Sequence, residues 1–159
     1  MIHRVSPKLV LLIGAGAATL ATATVEKWEG TVLKGYYDIA GVPTKCSGDT
    51  YDVIIDKAYT IAECRVSLEY QLVEHAKPVL NCTPVLRGHP YQLAAAISFT
   101  YNLGGGAYCR STIARRFNAG NWKGACDAFA WYVMAGGRVI PGLVNRRNYE
   151  RDLCLKGLV

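Results

Sequence analysis

The chain has 159 residues, of which 51% are apolar and 19% charged, and its net charge is +6. That is enough for one ordinary domain, or two small lobes sharing a core, and too apolar for a disordered chain. The charge is uneven: residues 1–37 carry four basic and two acidic groups, residues 38–83 sum to −3, and residues 84–159 to +7. Such a basic half suits either a solvated face or an anionic partner (nucleic acid, lipid headgroups or a carboxylate-rich polymer), and charge does not choose among them.

At the N-terminus, Arg4 and Lys8 precede an uncharged run from Leu9 to Val25, closed by Glu26. As one helix these residues would reach about 25 Å, slightly short of a bilayer's hydrocarbon core. Seven are large aliphatics; the rest are Gly14, Gly16, five alanines and three threonines. The run is therefore apolar enough to insert but weakly held. The flanking basic groups place Met1 inside and the remainder of the chain outside the cytoplasmic membrane. The alternative is a cleaved secretory signal, since Ala21-Thr22-Ala23 resembles a peptidase site. The reading taken is an uncleaved anchor over residues 1–25, followed by one compact domain over 26–159.

Gly30 is a natural stop for a short helix carrying Trp28 and Glu29. Over residues 36–59, Gly41, Pro43, Gly48 and Asp49 alternate with short runs such as Tyr36-Tyr37 and Val53–Ile55, which predicts a small irregular antiparallel sheet. Thr60-Ile61-Ala62-Glu63 is a capping box, and Ile61, Cys64, Leu68, Leu72 and Ala76 follow at helical spacing. That helix is expected to stop near Lys77, before Pro78. Further helices are expected from Pro90 to the Gly104–Gly106 run, from Ser111 or Thr112 to Gly120, from Asn121 to Gly136-Gly137, and from Pro141 to Gly157. The fold class is α+β: a small sheet lobe, a connecting helix and a helical lobe.

Six cysteines stand at 46, 64, 82, 109, 126 and 154, none in a Cys-x-x-Cys pair, and His3, His75 and His89 lie in no ligand-like spacing. A metal site is not expected. An even count in an exported chain suggests three disulfides. Cys126 and Cys154 would lie on helices flanking the basic loop, Cys46 and Cys64 would tie the sheet to the connecting helix, and Cys82 and Cys109 remain. Spacing alone does not fix this connectivity.

Glu29, Asp38 and Thr44 form the pattern Glu-x8-Asp-x5-Thr. A carboxyl at a helix C-terminus faces the negative end of the dipole, which favours its protonated form, and burial beside Trp28 would push the same way. Asp38, in an open polar loop, would stay ionised. Two carboxylates in contrasting surroundings suit acid and base roles in glycoside hydrolysis. Acids at helix ends and in turns are also ordinary surface residues, and spacing by itself favours that plainer reading.

Glu29-Gly30, Tyr37-Asp38, Gly41 and Thr44 together resemble the catalytic segment of phage-type lysozymes, glycoside hydrolase family 24. The stretch Ser98-Phe99-Thr100-Tyr101-Asn102-Leu103-Gly104 resembles that family's helix before a glycine loop. Ser111-Thr112, Gly120-Asn121-Trp122 and Pro141–Arg147 follow in the family's order. The weak anchor is similar to that of the signal-anchor-release endolysins of lambdoid phages. The resemblance implies a muramidase that cuts the β-1,4 bond between N-acetylmuramic acid and N-acetylglucosamine in peptidoglycan, held inactive while tethered. It implies Glu29 as general acid, with Asp38 and Thr44 holding the hydrolytic water, and no cofactor. Tyr101 and Asn102 are expected to line the cleft, and Arg146 to touch peptide carboxylates of the substrate or else pair with local acids. A monomer acting in the periplasm after release, with no nucleic-acid partner, completes the expectation. Where the family often has Thr-x-Gly-x-Gly-His, this chain has Thr44-Lys45-Cys46-Ser47-Gly48-Asp49, which puts the local support of the sheet in question. The rival readings are a lytic transglycosylase, in which Asp38 and Thr44 would have no purpose, and a non-enzymatic wall-binding or membrane-disrupting protein.

Overall fold

In the computed structural model, which describes residues 5–158, the apolar N-terminal run is not one straight helix. It forms α1 (Pro7–Ile13) and α2 (Ala15–Glu29), bent by 111° at Gly14, and no single described helix is long and apolar enough to cross a membrane. Gly14 makes this corner at φ 85°, ψ 157°, a left-handed region that costs glycine little and most residues much. Both helices are built into the body of the protein. Leu9, Ile13, Ala17, Ala18, Ala21 and Val25 are buried in the main core. α2 lies chiefly along α4 (Pro90–Leu103), in which Ala94, Ala95 and Ala96 are fully buried. Small side chains on both helices allow this close approach; a Cβ on Gly16 would meet Pro90 at 3.3 Å. The same smallness that weakens the run as an anchor suits it to packing against protein.

The chain leaves α2 at Gly30 and enters a two-stranded antiparallel sheet, β1 (Val32–Tyr37) with β2 (Pro43–Cys46), in register Tyr36↔Thr44 and Tyr37↔Pro43. The sheet thus begins at Val32, earlier than the turn signals suggested, and Val53–Ile55 is loop rather than strand. That loop crosses β1 at Gly35, where a Cβ would lie 2.0 Å from the Ile54 carbonyl oxygen, so only glycine fits. α3 (Ile61–Cys82) opens with the expected Thr60–Glu63 capping box. It does not stop at Lys77 but runs through Pro78 to Cys82, with Val79 and Leu80 buried beyond the proline. Burial of that last turn outweighs one lost backbone hydrogen bond. The Pro78 ring lies where a Cβ on Gly105 would stand.

The helical lobe follows: α4, α5 (Gly105–Cys109), α6 (Thr112–Asn118), α7 (Trp122–Ala128) and α8 (Pro141–Lys156). Ser111 and Asn121 cap α6 and α7 through their side chains. Gly136-Gly137 does not end α7. It turns a hairpin between β3 (Met134–Ala135) and β4 (Arg138–Val139), both glycines having φ above +50°, as a two-residue hairpin turn requires. The disulfides are Cys46–Cys64, Cys82–Cys109 and Cys126–Cys154, the partners expected from sequence. Each closes a loop of 18 to 28 residues and contributes about 3 kcal/mol by restricting the unfolded chain.

Candidate active site

Glu29 is the last residue of α2, and the bend at Gly14 together with the α2–α4 contact brings it over the helical lobe. Its Oε1 accepts a hydrogen bond from Arg146 Nη1 at 2.5 Å. The neighbouring Trp28 packs edge-on against Tyr149, ring centroids 5.8 Å apart. Two successive residues at the end of α2 therefore grip two positions of α8. The Glu29 carboxyl itself is held by an arginine.

Arg146 is buried, with a side chain only 6% exposed. Nε donates to Glu150 Oε1 at 3.2 Å and Nη2 to the Ser98 carbonyl at 2.9 Å. With its donors so engaged it is placed to hold Glu29, not to meet the carboxylates of a substrate, and the local pairing is what the structure shows. Arg147, fully buried, pairs with Glu150 at 3.0 Å and donates to Asn102 Oδ1 at 2.7 Å. Glu150 also accepts from Ser98 Oγ at 2.6 Å. Burial pushes the Glu150 carboxyl above its ordinary range, against the pull of Arg147 and Arg146. It also lowers Arg147 to about 10, against the pull of Glu150. Asn102 is thereby committed to Arg147.

The hairpin between β1 and β2 supplies Asp38 and Thr44. Asp38 Oδ1 accepts from the backbone N–H groups of Ala40 and Val42 at 2.8 and 2.9 Å, an Asx turn that fixes the loop's course. Thr44 is buried on the strand and donates to the Val42 carbonyl at 2.9 Å. Val42 thus links the two side chains. Three residues after Thr44, Ser47 Oγ donates to the carbonyl of Gly30 at 2.8 Å, joining this strand to the residue that follows Glu29. Tyr101, at the end of α4, donates its hydroxyl to the Ser47 carbonyl at 2.7 Å and packs on His75, ring centroids 4.8 Å apart. Burial, then the negative charges of Glu29 and Asp49, hold the Tyr101 phenol protonated. Burial also pulls His75 down, while Glu29 and Glu74 pull it up.

Cys46 and Asp49, the two departures from the family pattern, are both used. Cys46 keeps a left-handed backbone (φ 55°), as a glycine there could, and bonds to Cys64 on α3. Asp49 is buried and accepts from Tyr51 N at 2.9 Å, Ser67 Oγ at 2.5 Å and Gln71 Nε2 at 3.2 Å. Cys64, Ser67 and Gln71 follow one face of α3, so the turn after β2 is clamped along that helix. A cavity of about 720 Å³ opens beside this clamp, lined in part by Lys45, Tyr51 and Tyr70, and none of Glu29, Asp38 and Thr44 borders it. Glu150, Ser98, Ser47 and His75 were not singled out in the sequence. Glu150 lies one turn from Arg146 and one from Arg147, the only advance sign of an ion cluster there.

The phage lysozyme family model matches residues 26–150. The chain belongs to that family. It is a lysozyme, an endolysin-type muramidase with peptidoglycan as substrate. A SAR-endolysin of bacteriophage PS119 is 36% identical over 157 residues, covering 91% of this chain and 90% of the relative. The fold is that of the active form of P1 phage endolysin Lyz, with a TM-score of 0.77 at 21% identity over 99% of this lysozyme and 97% of that chain. Against the secreted inactive form of the same P1 enzyme the TM-score is 0.53, at 20% identity and 98% coverage of both.

Proposed function

We propose that this lysozyme hydrolyses the β-1,4 bond between N-acetylmuramic acid and N-acetylglucosamine with Glu29 as general acid, Asp38 as the base that orients water, and Thr44 as that water's second partner. The observation that carries the reading is the placement of Glu29 at the end of α2, joined through Gly30 and Ser47 to the strand bearing Thr44. Asp38, held by two backbone N–H groups, keeps a fixed carboxylate on the same hairpin. In an inverting hydrolase the two carboxyl groups stand roughly 6.5–9.5 Å apart to admit the water.

Residues 9–25 serve first as a membrane anchor and then as part of the folded enzyme. While the run spans the bilayer as one helix, Glu29 is only four residues beyond Val25, about 6 Å outside the hydrocarbon. Headgroups then compete with the glycan strand, and α2 cannot lie along α4. Released, the run bends at Gly14 and buries its small face, as it does here. Residues 9–25 contain no cysteine, so disulfide exchange with the anchor is not the switch, and collapse of the membrane potential is a suitable trigger. The better fold agreement with the active than with the inactive P1 enzyme supports taking this arrangement as the released state.

The test is Glu29→Gln on purified peptidoglycan. Release of new reducing ends should fall by roughly 10²–10⁴-fold, the usual range for a general acid. An amide that works as well as the acid overturns the assignment. Anhydromuramic ends in the parent's products would instead mark a lytic transglycosylase.

A further inference from the structure

Only Gly30 and Thr31 separate α2 from β1. Gly30 leaves the helix at φ 65°, ψ −166°, a conformation that few other residues adopt, so this two-residue joint is a natural pivot between the acid-bearing helix and the β1–β2 hairpin. α2 is fixed by its packing along α4 and by Glu29 and Trp28 on α8. The hairpin is therefore the side free to turn at the joint, where a cavity of about 240 Å³ is lined by Glu26, Thr31, Leu33, Ser47, Ile61 and Leu68 among others. What crosses the joint is a directional contact. Ser47, 3% exposed, donates its hydroxyl to the Gly30 carbonyl at 2.8 Å. Ser47 is itself held from the far side, since Tyr101 donates to its carbonyl at 2.7 Å. Its neighbours on the turn are fixed to α3 by the Cys46–Cys64 disulfide and by Asp49.

We propose that Ser47 is a positioning residue for the hydrolysis: its hydroxyl pins the end of the acid-bearing helix to the strand that carries Thr44. The inference rests on the assignment of Glu29 and Thr44 made above. Thr44 stands three residues before Ser47 and Glu29 one residue before Gly30, so this one hydrogen bond sets how far the acid stands from the water-holding side chain. Losing it lets the hairpin turn about Gly30 relative to α2, while Arg146 still holds the Glu29 carboxylate. The acid remains in the cleft, but the water-holding side chain moves off line from it. Misplacement of this kind lowers the rate of the chemical step far more than it weakens substrate binding.

The experiment compares Ser47→Ala, Ser47→Thr and Tyr101→Phe with the parent, measuring kcat and KM on soluble peptidoglycan fragments per folded molecule, alongside thermal melting. Ser47→Ala should lower kcat by about tenfold or more, with KM within about twofold of the parent. Ser47→Thr, which keeps the hydroxyl, should recover most of that loss. A merely structural role would lower the melting temperature and leave kcat per folded molecule within about twofold, and that result overturns the proposal. Threonine performing no better than alanine overturns it as well. Should Ser47→Ala fail to fold, Tyr101→Phe decides: a fall in kcat at constant KM supports the pin, while an unchanged kcat or a rise in KM alone rejects it. Glu29→Gln is run beside them. If that variant stays active the site assignment itself fails; if it is dead and Ser47→Ala is not, only the pin is wrong.

Discussion

A chain carrying Ala15→Leu, Thr19→Leu and Ala23→Leu should lyse its host late and remain with the membrane fraction. These positions lie four residues apart on the exposed face of α2, away from the buried stripe of Ala17, Ala18, Ala21 and Val25. Leucine there leaves the packed form as it is and makes the segment more comfortable in lipid, on the order of 1–2 kcal/mol for the three together. That is enough to move a membrane-to-released equilibrium by roughly tenfold. Enzyme recovered from the soluble fraction should cut purified peptidoglycan at the parent's rate, because the site is untouched. If the variant lyses as early as the parent while staying in the membrane, release of this segment is not the switch.

Arg146→Met should cost both activity and stability. Methionine fills much of the space but leaves Glu29 without its partner and Ser98 and Glu150 without a donor they now share. Removing one member of a buried ion pair typically costs about 3–5 kcal/mol. Thermal melting should therefore drop sharply, and kcat should fall in the molecules that remain folded, since Glu29, the proposed acid, then swings free. Arg146→Lys keeps a charge but cannot serve three acceptors with a planar fork, and it should recover only part of either loss. A variant that melts like the parent and keeps its kcat would show that Arg146 is incidental to the site.

Much of this architecture is legible in the sequence because it is written in local signals. The Thr60–Glu63 capping box, the Asn121 cap, and the prolines that open α4 and α8 each rest on contacts within one turn of helix. The misread elements share the opposite trait, that a distant partner decided them. Pro78 is carried inside α3 because the turn beyond it is buried. Gly136-Gly137 is the exception, a local two-residue hairpin turn where a helix end was equally consistent with the residues. Most of all, Leu9–Val25 read as one straight span because hydropathy does not say whether lipid or protein is the host, and the corner at Gly14 appears only when α4 and α3 are there to pack against. The same lesson applies to Gly14 and Gly16, which from sequence look like free positions for strengthening an anchor. In the fold one holds a left-handed corner and the other touches Pro90, so leucine at either would harm the released enzyme too. At the site, the pattern of Glu29, Asp38 and Thr44 was visible, but their support was not. Arg146 was visible as a basic residue and not as the one that grips Glu29 across 117 positions.

Enzymes commonly carry their catalytic residues at a loss, so that inactivating one of them makes the protein more stable. With Glu29 as the proposed acid, the ion cluster on α8 reverses that relation. Arg146 and Arg147 face Glu150 in the interior, two positive charges against one negative, and the excess is cancelled only when Glu29 arrives. Before α2 docks, the helical lobe therefore holds an uncompensated charge that an acid at the end of that helix is suited to meet. Replacing Glu29, the proposed acid, with glutamine leaves the excess in place, so a variant that loses activity by this change should also be the less stable one. Selection for a well-folded released state and selection for catalysis then act on the same carboxylate, and a lineage drifting toward inactivity would meet a folding defect as it did so.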